Sequence, residues 1–280
     1  MKMILKDAHA KAQRRKEIRI SKMQPFFAPL RLCVSICLLS FAVGAIAQTT
    51  NDLSDAEIQG RQLAQILLEQ TPATNFTQNG ILKIRKENGG STNLYLTVTT
   101  KVNADDYLVN YEAGTNSSGL SVEWLKIIKS TGHPTIYYSS QHHVGMIESG
   151  VFDATLLRGN ETMIPFANSD FWIADLGLEF FHWPEQKILK RENSRGRVCK
   201  VLESTNPNPS TNGYSRVDSW IDEETLGIVQ AYAYDARGKK LKEFYPKDIK
   251  KVDGQWQVGM MEMDNVQTGS RSRIEFDLKK

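Results

Sequence analysis

The chain has 280 residues, a formal net charge of +3 and 40% hydrophobic side chains, enough for the core of one or two domains. Nine Lys or Arg against two acids fall in residues 1–47, so residues 48–280 hold 26 basic and 30 acidic side chains, a balance of −4. The basic excess therefore belongs to the front of the chain and gives no basis for nucleic acid as a partner.

That front reads as an export signal. Residues 32–47, LCVSICLLSFAVGAIA, form an apolar run that follows Arg31 and ends in Ala45-Ile46-Ala47. Small residues at Ala45 and Ala47 suit cleavage before Gln48, and the run is short for a membrane span, which takes about 20 apolar residues. Met23 is a natural start for a compact signal of this kind. The expected organisation is a signal over 1–47 and a single domain over 48–280, soluble in the periplasm after cleavage. Gln48 stands where acylation would need cysteine. Beyond the signal only Cys199 remains, so no internal disulfide and no thiolate metal cluster is available. Cys199 is expected as a buried structural thiol.

LSDAEIQGRQLAQILLEQ, residues 53–70, predicts a helix. Ser54 and Glu57 have the spacing of a capping box, Leu53 can staple onto Ile58, and Pro72 marks the stop. Ala56, Leu63, Ile66 and Leu67 share one face, and Gly60 allows close approach to a sheet.

The period then changes from 3.6 to 2. GILKIRK (80–86), NLYLTVTT (93–100), DYLVNYE (106–112), SVEWLKII (121–128) and TIYYS (135–139) alternate apolar with polar. The last third repeats the pattern in GRVCKVLES, YSRVDSWID, GIVQAYAYD, KLKEFYPKDIKK, QWQVGMMEM and SRIEFDL. This predicts a mainly β domain of about 10–11 antiparallel strands with an N-terminal helix. Alternation alone leaves two architectures open, a sandwich and one strongly curved sheet.

Residues 140–195 break the rhythm and predict a central helical or loop insert. Residues 151–163 suggest a short helix or irregular arm. Next comes PFANSDFWIADLGLEFFHWPEQ (165–186), with Phe166, Phe171, Trp172, Phe180, Phe181 and Trp183. Asn168, Ser169 and Asp170 can cap a short helix over Phe171, Trp172 and Ile173.

Catalytic signals are sparse. There is no HExxH, no G-x-S-x-G and no phosphate-cradling glycine loop. His142 and His143 would point to opposite faces of a strand, which disfavours a shared metal site with Glu148 or Asp153. His182 reads as a packed imidazole. Asp170, Asp175 and Glu179 beside aromatics resemble the composition of some sugar sites, but capping or pairing is their ordinary role. No catalytic residue, metal ligand or cofactor is assigned.

The segment 165–186, with VCKVLES, YSRVDSWID, AYAYDARGKKLKEF and QWQVGMMEMDN, is similar to the bacterial outer membrane lipoprotein-sorting protein family. That family is related to the periplasmic lipoprotein carrier and its outer-membrane receptor, and the resemblance covers nearly all of 50–280. It implies an unclosed, strongly curved antiparallel β-barrel whose concave face is covered by helices and encloses an apolar cavity for lipoprotein acyl chains.

The leading expectation is periplasmic binding and carriage of lipid or lipoprotein acyl chains by a monomer, without catalysis. The lining candidates are Phe171, Trp172, Phe180, Phe181 and Trp183, with strand residues Trp124, Trp220 and Trp256. One alternative is a non-catalytic envelope module that contacts an inner-membrane or outer-membrane protein or a membrane face. Another is an envelope lipid or glycan hydrolase.

Overall fold

The structure is a computed structural model that describes residues 53–115, 121–141, 154–252 and 255–277. The signal, the His142–His143 pair, Glu148 and Asp153 lie outside the described residues. Thirteen strands form one antiparallel sheet. The N-terminal half contributes β1 (Phe76–Arg85), β2 (Ser91–Val102), β3 (Asp106–Gly114), β4 (Ser121–Ser130), β5 (Ile136–Gln141) and β6 (Thr155–Leu157). The C-terminal half contributes β7 (Glu185–Ser194), β8 (Arg197–Thr205), β9 (Tyr214–Asp222), β10 (Ile228–Asp235), β11 (Lys240–Val252), β12 (Gln255–Asn265) and β13 (Arg271–Phe276).

Each half is a meander, and β1 pairs with β13 to join them, with Leu82 opposite Ile274. The sheet curves but does not close, because β6 and β7 lie at its two edges. Alternation explains the curved core. Leu82, Ile84, Leu94, Leu96 and Val98 point inward and are buried with Leu125 and Ile127.

The two strands beyond the eleven read from sequence are the two edges. β6 has three residues, and β7 carries Lys187, Lys190, Arg191 and Glu192. Short length and charge are how edges avoid pairing with other chains, and both erase the alternation that betrays a strand. The expected insert therefore ends earlier than residue 195. Within 151–163, the described part is β6 followed by a 3₁₀ turn over Gly159–Thr162.

The first helix, α1 (Asp55–Leu68), starts with the expected capping box. Glu57 Oε2 accepts from Ser54 N–H and Oγ, both at 2.7 Å, and Glu57 N–H donates to Ser54 Oγ. Its buried face is Gly60, Leu63, Ala64 and Leu67, so Ile66 is outside it at 47% exposure. Leu53 and Ile58 are both exposed, and the staple adds little burial. A Cβ on Gly60 would stand 2.5 Å from Lys187 N and 2.6 Å from Gln186 O, so the helix lies on the backbone of β7. A larger residue at the middle of α1 would hold the helix off the sheet.

Since β6 and β7 are consecutive in sequence but at opposite edges, residues 158–184 run from one edge to the other. Phe166, Phe171 and Ile173 pack with β1–β5, whereas Phe180, Phe181 and Trp183 pack with α1 and β9. This segment bridges the two halves of the concave face.

Candidate functional site

The segment first turns back on itself. Ala167 and Asn168 adopt φ of 50° and 56°, and Phe166 N–H donates to Phe171 O at 2.8 Å. Asn168, Ser169 and Asp170 thus make a tight turn rather than the expected helix cap. Ser169 Oγ donates to Phe166 O at 2.6 Å, and Asp170 accepts from the hydroxyls of Ser270 and Ser272 at 2.6 and 2.8 Å. The helix comes later, as α2 (Ile173–Gly177), where Asp175 Oδ2 accepts from Trp172 N–H at 2.8 Å. Leu178 ends it with φ of 58°, and a 3₁₀ turn follows over Glu179–His182. The Gln186 amide then donates to Phe180 O and Trp183 O at 3.0 and 2.9 Å, and accepts from Ser204 Oγ at 2.7 Å. These bonds fasten the end of the segment to β7 and β8.

Beneath the segment lies a cavity of about 330 Å³. Phe171, Phe180 and Phe181 enter from above, Leu67 from α1, and Val217, Phe244 and Met261 from the sheet. Ala231 and Ala233 also line it, and their small side chains at inward positions of β10 leave the space. The volume is at the lower end of ligand sites, roughly 300–1,000 Å³.

Of the other lining candidates, Trp124, Trp172, Trp183 and Trp220 are not part of this lining. Trp172 stacks on Tyr214 with ring centroids 4.4 Å apart, and Trp183 packs edge-on to Phe180 behind the cavity wall. Trp220 lies on the outer face of the sheet with Cys199 and Val201, where its indole N–H donates to Glu192 at 2.6 Å. Strand parity decides this, since Trp220 is paired with Val201 while Leu202 faces inward. Trp124 is likewise next to buried Leu125 and points the other way, with Lys126 Nζ 5.9 Å from its ring. Trp256 is on β12, and its side chain is outside the described residues. Cys199 is fully buried, as expected.

One cavity residue was invisible to the sequence reading. Lys242 is 1% exposed and lines the cavity. Its Nζ lies 3.6 Å from Asp175 Oδ2 and 3.6 Å from the centroid of Trp172. Tyr214 Oη donates to the same Asp175 oxygen at 3.0 Å. Burial pushes the ammonium down to about 7, opposed by Asp175 and Asp170. Burial also raises the Asp175 carboxyl, opposed first by Lys242. In KLKEF the lysines alternate with Leu241 and Glu243, which reads as a wet face. The available signal was that Lys242 shares parity with Phe244.

A second polar cluster holds the segment against β5. Tyr137 Oη donates to Glu179 Oε2 at 2.9 Å, and Thr135 Oγ1 lies 2.7 Å from His182 Nε2. Burial raises Glu179 to about 7, lowers Lys129 to about 8 and lowers His182 to about 4. Asp170 and Asp175 thus act around Lys242, while Glu179 and His182 tie the segment to the β5 side.

The fold is shared with known structures. A DUF1329 family protein from Desulfovibrio piger superposes with a TM-score of 0.63 at 17% identity, over 80% of this chain and 92% of that one. A putative outer membrane lipoprotein-sorting protein domain from Vibrio parahaemolyticus gives 0.63 and 17%, over 79% and 92%. A LolA superfamily protein from Nitrosomonas europaea gives 0.53 and 14%, over 80% and 93%. The chain has a LolA-like fold. At these identities the likeness establishes the LolA-like architecture, an open curved sheet. A family model described as "Uncharacterized protein" matches residues 155–279. No curated protein matches the sequence.

Proposed function

We propose that this protein binds and carries acyl chains of lipid or lipoprotein in the cell envelope, without catalysis. The observation that carries this reading is the apolar cavity of about 330 Å³ between residues 171–181, α1 and the sheet. Burying one CH₂ contributes about 0.8 kcal/mol, so a chain of about ten carbons offers roughly 8 kcal/mol gross, from which ordering and association costs are subtracted. That suffices for binding with no reactive group. The name of the Vibrio protein supports a lipoprotein-sorting setting, and the signal-like residues 1–47 support export.

The test is native mass spectrometry of protein purified without detergent and then incubated with phosphatidylethanolamine vesicles. An added mass that denaturation releases as an acyl lipid is the expected result. A bare mass after incubation, from protein that remains folded, overturns the reading.

A further inference from the structure

Lys242 is the one cationic side chain in the wall of the cavity, among the described residues. Its Nζ has no hydrogen-bond acceptor among the described residues, although it is almost fully buried. Asp175 is its ion-pair partner, at the edge of hydrogen-bond range. The gap is 3.6 Å, and the facing oxygen already accepts from Trp172 N–H and Tyr214 Oη. The ring of Trp172 covers another side of the ammonium at 3.6 Å. A buried donor left without an acceptor is destabilising, and more so when it is charged. The site therefore favours a ligand that brings an acceptor oxygen to this point.

The charge around Lys242 narrows what that oxygen belongs to. Asp175 already balances the ammonium, and Asp170 acts on it as a second carboxylate. A ligand carboxylate would add a further negative charge to a buried apolar site, which is strongly disfavoured unless paired. A carbonyl oxygen accepts the same N–H and adds no charge.

We propose that Lys242 donates to the uncharged carbonyl of an ester-linked acyl chain lying in the cavity, and so selects acyl esters over free fatty acids. This deepens the acyl-chain reading above and rests on it. Trp172 and Tyr214, which hold Asp175 and Lys242 in place, are positioning residues.

The experiment is displacement of the apolar dye 1-aminoanthracene from the full chain by monolaurin or by laurate at pH 6, where Lys242 is mostly the ammonium. Each has a twelve-carbon chain, so the two differ in the head. The expected result is monolaurin binding about tenfold tighter than laurate, in keeping with one hydrogen bond to a charged group. Lys242→Met should remove that advantage. Lys242→Met combined with Asp175→Asn keeps an acceptor for Trp172 and Tyr214 and leaves no unpaired buried charge, so it serves where the single variant fails to fold. Dye affinity is measured separately for each variant, and the monolaurin-to-laurate ratio within that variant is the readout. Laurate binding as tightly as monolaurin overturns the proposal, as does an ester preference that survives both substitutions. If the dye binds but neither lipid displaces it, the cavity is real and the carbonyl proposal fails. If folded protein binds neither dye nor lipid, the acyl-chain reading itself fails.

Discussion

Tyr137 on β5 donates a 2.9 Å hydrogen bond to Glu179 in the 3₁₀ turn, across 42 residues of sequence. The same tyrosine ring lies where a side chain at Gly177 would be, so α2 approaches β5 as closely as glycine permits. This pair ties the cavity cover to the N-terminal half of the sheet. Burial of the Glu179 carboxyl, which this hydrogen bond partly opposes, gives the fold a pH dependence.

Burial raises Glu179 to about 7 from an ordinary 4.5. Below about 4.5 both folded and unfolded chains hold the proton, and the group costs nothing. As pH rises to about 7 the unfolded chain releases it first, so stability falls through that window and the loss is complete above it. The penalty is on the order of 3 kcal/mol. Glu179→Gln should remove this slope, and urea unfolding of both proteins at pH 4.5 and pH 8 measures it. Parallel profiles for variant and wild type would show that Glu179 titrates normally.

His182 should act in the opposite sense. Its imidazole is held neutral down to about 4 by burial, against an ordinary 6.5. The unfolded chain takes up the proton first as pH falls, so the contribution is present above 6.5 and is lost toward 4. His182→Asn should be less acid-sensitive than wild type over that range. Because this window overlaps that of Glu179, each effect is read as variant against wild type by thermal melting across pH 4–8. A His182→Asn protein that loses stability as steeply in acid would rule this out.

Position relative to the sheet should separate binding from stability. Met261→Gln places a polar amide in the cavity wall at a partly buried site. It should weaken dodecyl-chain binding about tenfold, with a stability cost near 1 kcal/mol. Trp220→Ala removes the centre of the outer cluster and the bond to Glu192. It should cost about 3 kcal/mol in urea unfolding and leave affinity unchanged. Equal affinity losses from both substitutions would contradict the cavity assignment.

Gly60→Ala offers a test of how α1 is seated. Alanine favours a helix over glycine by about 1 kcal/mol. Here its Cβ would meet the backbone of Gln186 and Lys187, which cannot give way as a side-chain end can. Net destabilisation of about 1–3 kcal/mol is expected from overpacking. A rise in melting temperature would mean that α1 lies farther from β7 than described.

Local physics made much of this protein readable from the chain alone. The capping box at Ser54 and Glu57 involves atoms three residues apart. The eleven inner strands announce themselves because one buried face imposes a period of two. The aromatic run at 165–186 marked the cavity cover, and three of its phenylalanines reach the cavity. What depends on distant residues was decided by the tertiary structure. The edge strands β6 and β7 lack alternation because solvent and α1 set their surroundings. Trp220 and Trp124 look no different in sequence from lining residues, and the face each occupies follows from pairing register. Lys242 reads as an ordinary surface lysine until β11 pairs Lys242 with Ala233 and α2 brings Asp175 and Trp172 over it. A charge in a strand is wet or buried according to what folds across it, and that information is far away along the chain.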